Sequence, residues 1–149
     1  MTFDRPKTAD ASCSRGSEQS ELSHFPIKLQ LLNPAAPFLK GSDLLLLADC
    51  AAAAYPGLHA GLLRGRTVAM GCPKLDDIDE LIARLTAIVS EARPRSITVA
   101  VMEVPCCSGL VHAAHKALQA AGTNMPLHRV IISRDGKLIR REELKACND

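Results

Sequence analysis

Strands that alternate with helices predict an α/β fold: a three-layer sandwich around a mostly parallel, Rossmann-like or flavodoxin-like sheet, ending in a C-terminal antiparallel hairpin at one edge. Three stretches carry that expectation. DLLLLAD at 43–49 and SITVAVMEV at 96–104 are apolar without alternation, as strands covered on both faces must be. Between them DDIDELIARLTAIVSEAR repeats its apolar residues at helical spacing.

Taken in order, residues 1–22 are polar, Ser-rich and free of apolar period, which predicts a disordered lead before a single α/β domain over 23–149. PIKLQLL then alternates Ile27, Leu29 and Leu31 against Lys28 and Gln30, the period of a half-exposed strand. NPAAPFLKGS, which follows, holds two prolines and is short for a crossover helix, so strand order stays open at this point. After DLLLLAD comes a further apolar strand, TVAM at 67–70. The long helix places Ile78, Leu81, Ile82, Leu85, Ile88 and Val89 on one face; Asp77 with Glu80 three residues later resembles a capping box, and Pro94 ends the element. SGLVHAAHKALQAAG predicts a second helix with Leu110, Val111, Ala114, Ala117 and Leu118 inward and Gly122 as a left-handed cap. HRVIISRDGKLIRRE reads as a strand, an Asp135-Gly136 turn and a returning strand.

Composition narrows the function classes. The chain has 149 residues, one domain's worth, with 47% apolar residues but only 3% aromatic, so its core is aliphatic. So few rings argue against a base-stacking platform, and a net charge of +2 is too small to imply a polyanion, so no nucleic-acid partner is expected. No apolar run reaches membrane-span length and the amino terminus lacks the apolar core of a secretory signal; a cytoplasmic protein without a membrane partner is expected. In that reducing setting the six cysteines (Cys13, Cys50, Cys72, Cys106, Cys107 and Cys147) read as buried hydrophobes, metal ligands or redox groups.

Placement separates these roles. Cys50, Cys72, Cys106 and Cys107 each lie just past the carboxyl end of an expected central strand, and in an open parallel sheet those ends share the edge where ligands sit. Adjacent strands are about 4.8 Å apart, so thiols from two or three can meet at one ion. One such cysteine alone reads as core filler, since free Cys is among the most buried residue types; four in C-P and P-C-C turns point to a site. Cys107 also precedes a helix, where peptide dipoles favour a thiolate. A Cys106–Cys107 disulfide is disfavoured, because adjacent Cα atoms are closer than disulfide geometry wants.

His59, nine residues after Cys50, is a candidate nitrogen ligand against the plainer reading of a surface histidine. His112 and His115 fall on the polar face of the last helix, and Asp76 and Asp77 read as helix caps. Glu103 is either an acceptor behind the site or a solvent-facing charge, and Lys74 fits an anion-binding role or none. Soft thiolates select zinc or an iron-sulfur cluster as cofactor. No C-x2-C pair, no G-x-x-x-x-G-K and no G-x-G-x-x-G follows any strand, so spacing supports neither a zinc knuckle nor a phosphate loop.

At LADC, YPGLH, GCPKLDD and MEVPCCSGL the chain resembles the domain found downstream of the ferredoxin module in 4Fe-4S ferredoxin-type, iron-sulfur cluster-binding proteins of anaerobes. The similarity runs from about Ser20 to Glu143. It implies a redox-linked, cluster-associated role and points to Cys50, His59, Cys72, Cys106 and Cys107 as shared positions. The cysteine-rich ferredoxin motif is missing, since the amino-terminal region holds Cys13 alone, so any cluster falls to the strand-end cysteines. The leading expectation is therefore a metal or iron-sulfur binding protein serving electron transfer, with a redox partner protein. The alternatives are a thiol enzyme with Cys107 as nucleophile and His59 or Lys74 beside it, and a structural partner-binding domain with inert cysteines.

Overall fold

The computed structural model describes residues 19–145. The expectation of a disordered lead falls mostly on residues outside that range, as do Cys13 and Cys147. Five strands, β1 (Asp43–Ala48), β2 (Thr67–Gly71), β3 (Ser96–Met102), β4 (Leu127–Ile132) and β5 (Leu138–Leu144), form one sheet in the order β2-β1-β3-β4-β5. β2, β1, β3 and β4 are parallel and β5 returns antiparallel to β4, as the sequence predicts.

Three α-helices connect the strands: α1 (Asp49–Ala54), α2 (Ile78–Ala92) and α3 (Ser108–Ala121). α2 and α3 pack against each other on one face. The step from β1 to β2 runs in the opposite direction along the sheet from the steps that follow, so right-handed crossovers put α1 and the π-helical stretch Leu58–Leu63 on the other face. Burial agrees with a sheet covered on both sides: Leu44, Leu45, Leu46 and Leu47 are sealed from solvent, and β3 is buried along six of its seven residues. No helix among the described residues is long and apolar enough to cross a membrane.

The helix ends follow local chemistry. Asp77 Oδ1 accepts from the N–H groups of Asp79 and Glu80, at 2.9 and 3.2 Å, and so caps α2. Arg93 takes a left-handed conformation before Pro94 blocks continuation. Leu81, Leu85, Ile88 and Val89 are buried as expected, whereas Ile78 and Ile82 sit half-exposed at the margin of the stripe. All five predicted inward residues of α3 are buried, and Gly122 caps it with φ 65°.

The first expected strand is a correction. PIKLQLL meets the sheet at a single bridge, Lys28 beside Met70, with the Met70 N–H donating to Ile27 O at 2.8 Å. It then tightens into a 3-10 turn over Leu29–Leu31. Burial consequently recurs every third residue: Leu29 and Leu32 are buried while Leu31 is 66% exposed. The Arg84 guanidinium of α2 donates to Leu32 O at 3.1 Å and ties the turn to the helix instead of to a ladder. NPAAPFLKGS is thus a loop with a second 3-10 turn, Pro37–Leu39, and no crossover was required of it.

His24 seals the edge of β2. Its buried ring stacks on Phe38 at 4.2 Å between centroids, and Nε2 accepts the Val68 N–H at 3.0 Å. Nε2 must therefore be bare, leaving Nδ1 to donate to Pro26 O at 3.1 Å. Burial holds the imidazole below its ordinary range, although the hydrogen bond to Pro26 pulls the other way. A histidine with a depressed folded pKa gives stability that is fully present above the unfolded value of about 6.5 and is lost as pH falls below it. Denaturant titrations at several pH values are expected to show His24→Gln less stable than wild type by about 1–3 kcal/mol at pH 7.5, with the gap narrowing toward pH 5. A gap that is constant with pH would contradict this role.

Candidate functional site

The chain leaves β1 toward β2 on one side and reaches β3 on the other, so the loops after β1 and β3 diverge and leave a crevice at the carboxyl edge. In open α/β sheets that reversal is where ligands bind, and the order seen here is the flavodoxin-like one. Four cysteines stand at this edge and all are free thiols. Cys50 is the second residue of α1, Cys72 follows β2 directly, and Cys106 and Cys107 end the 3-10 turn Pro105–Cys107 that leads into α3. Pairing of Ala48 with Gly71 puts Cys72 level with Asp49, one residue short of Cys50.

A close backbone approach ties two of these turns together. A Cβ on Gly109, in the first turn of α3, would lie 2.9 Å from Pro73 Cβ. Only glycine lets the Cys72-Pro73 turn rest against the start of α3, and this contact spans the end of β1 that lies between β2 and β3.

Exposure divides the thiols. Cys50 and Cys106 face solvent, Cys72 is half-buried, and Cys107 belongs to the hydrophobic core at 5% exposure. Burial pushes the Cys107 thiol up; a backbone hydrogen bond at Met102 opposes this, but the neighbouring thiols of Cys106 and Cys50 reinforce it. This corrects the expectation that a helix start lowers the Cys107 pKa. Its side chain is packed inward, away from the water that would stabilise a thiolate. Cys50 follows β1 and Cys106 follows β3, so both stand on the same carboxyl edge as Cys107.

An ionic cluster holds the β2 side of the edge. Lys28 Nζ donates to both oxygens of Asp49 at 2.9 and 3.1 Å and lies 3.6 Å from Asp76 Oδ2, which also accepts the Cys72 N–H at 2.8 Å. Burial pulls the Lys28 ammonium down, but the hydrogen bond and charge of Asp49, joined by Asp76, leave it above its usual range. Asp76 is therefore no helix cap: it fixes the backbone that carries Cys72. Sequence reasoning missed Lys28 and Asp76, and the signal available was a DD pair of which a single N-cap can use only one.

The other candidates have different work. His59, exposed in the π-helical stretch, accepts the Glu21 N–H on Nδ1 at 3.1 Å. Glu103 accepts the Arg134 N–H at 3.0 Å, tying the end of β3 to the hairpin, and Lys74 is exposed. Among the described residues no three His, Cys, Asp or Glu side chains are arranged to hold a metal ion. The donors are soft and neighbouring, but they do not surround a common point.

The fold and this edge define an α/β protein of the doubly wound class whose carboxyl edge carries four thiols. Comparison with known proteins agrees on the fold: the chain belongs to the Rossmann-like domain family, whose model matches residues 36–148. It is also similar to an uncharacterized protein of Archaeoglobus fulgidus, 33% identical over 116 residues that cover 78% of this chain and 81% of the relative. No solved structure matches it.

Gly109→Ala gives a test with an unusual sign. In an ordinary helix this change stabilises by about 1 kcal/mol. Here the added methyl meets Pro73, so thermal or urea unfolding is expected to show a net loss of about 1–3 kcal/mol. Stabilisation would mean that the two turns are not in contact.

Proposed function

We propose that this protein binds a soft metal ion, as zinc or an iron-sulfur cluster, through the strand-end thiols Cys50, Cys72, Cys106 and Cys107, and serves electron transfer with a redox partner protein. The observation that carries the reading is the gathering of free thiols from separate strands at the reversal point of the sheet. Core filling accounts for Cys107 but not for Cys50 and Cys106, which are exposed and gain nothing as hydrophobes. Resemblance to the domain that follows ferredoxin modules supports the same set and suggests the redox role.

The fit is one of donor chemistry. Thiolates are the ligands of zinc and iron-sulfur sites, and a bound cation offsets the cost of ionising the Cys107 thiol, whose pKa burial raises first and the neighbouring thiols second. In geometry the site is incomplete, since no three donors are grouped for an ion, so binding requires the exposed Cys50 and Cys106 side chains to turn toward Cys107. When bound, the metal supplies either a one-electron couple, as a cluster, or a structural clamp, as zinc. His59 enters only by giving up the Glu21 hydrogen bond or by using Nε2.

The thiol-enzyme alternative centred on Cys107 is weakened by the burial and the raised pKa of that thiol. The deciding experiment is purification without oxygen, followed by iron, sulfide and zinc analysis of wild type and Cys106→Ser. Near-stoichiometric metal in the wild type and a clear loss in the variant are expected. A folded wild-type protein containing neither iron nor zinc would sink the proposal.

A further inference from the structure

Beyond β4 the chain returns through a hairpin instead of a helix, so among the described residues the sheet flank next to α3 has no helical cover of its own. Parallel sheets ordinarily carry helices over both faces, and here the omission leaves an open groove of about 670 Å³. One wall is a single stripe of α3, with Val111, His112 and His115 at helical spacing below Ser108. The floor is a row across three strands: Val101 of β3 pairs with Ile131 of β4, which pairs with Arg140 of β5. Ile139, 52% exposed, extends the apolar side.

We propose that this groove binds a small amphipathic organic anion, a carboxylate with an aliphatic body, between α3 and the hairpin. Its volume falls within the range of small-molecule sites, roughly 300–1,000 Å³. Charge complementarity selects the head group. The side chains of Arg140, His112 and His115 make no hydrogen bond or ion pair among the described residues, whereas the other charged groups of the groove are already matched, Arg129 by Glu142 and Glu103 by Arg134. An unmatched guanidinium and two imidazoles around an apolar floor thus offer donors with no acceptor of their own. Val101, Val111, Ile131 and Ile139 provide the surface for the aliphatic body. Burial, and then the charge of His112, hold the His115 imidazole below its ordinary range, a cost that a bound carboxylate offsets. The inference does not rest on the thiolate site, although Pro105 and Ser108, which flank Cys106 and Cys107, also line the groove, and its test involves no metal.

Octanoate is the probe, titrated into isotope-labelled protein while the imidazole C–H resonances of His112 and His115 are followed by NMR. Saturable shifts of both are expected, with octylammonium and acetate binding at least about tenfold more weakly because each lacks one half of the recognition. Arg140→Gln, at an exposed position of an edge strand, is expected to weaken octanoate binding by about tenfold or more while leaving the spectrum otherwise folded. Equal affinity for octanoate and octylammonium, unchanged affinity in Arg140→Gln, or shifts that follow protein concentration instead of octanoate would each overturn the proposal. The last would mean that a second copy of the chain occupies the groove.

Discussion

Four consecutive leucines, Leu44 to Leu47, are buried on both faces of β1, and both neighbours of that strand run parallel to it. A parallel strand cannot be joined to its neighbour by a tight turn, so each connection must leave at the carboxyl end and cross a face of the sheet. That requirement collects the loops after β1, β2 and β3 at a single edge. It also fixes where charged and reactive groups can stand, because β1 and β3 are otherwise packed in a largely aliphatic core. The thiols, the Lys28 cluster and the Gly109 contact are all consequences of how the chain leaves those three strands.

The edge is asymmetric. On the β2 side, Lys28 with Asp49 and Asp76 forms a half-exposed ionic cluster that anchors the Cys72 backbone. On the β3 side, Cys106 and Cys107 are carried by a short turn with no charged partner among the described residues, one thiol outward and one inward. Such pairs of surface charges contribute little to stability, so the cluster matters more for where it holds the Cys72 turn than for the energy it adds.

Most of the architecture was legible because its signals are long: the uninterrupted apolar runs of β1 and β3, the helical stripes of α2 and α3, and the Asp-Gly turn of the hairpin. The failure at PIKLQLL has a physical cause. An alternating pattern five residues long is equally compatible with a bridge followed by a 3-10 turn, and the difference lies in the hydrogen bond from Arg84, a contact 52 residues away. The cysteines at the carboxyl edge could be placed because strand ends can be read from sequence. Lys28, Asp76 and His24 could not, since each acquires its role from a residue distant in the chain. Cys107 shows the converse: a helix start favours a thiolate in isolation, but tertiary burial and neighbouring thiols reverse the effect.

Thiols carried at separate strand ends stand at one edge of the sheet, and the proposed function requires them to converge on one ion. Titration of the reduced, metal-free protein with cobalt(II) tests it directly, because cobalt bound by thiolates absorbs through sulfur-to-metal charge transfer and cobalt bound by oxygen or nitrogen alone does not. Charge-transfer absorption in the wild type that is diminished in both Cys50→Ser and Cys106→Ser is the predicted result. Absence of that absorption in the wild type, or its full strength in both variants, would contradict the account.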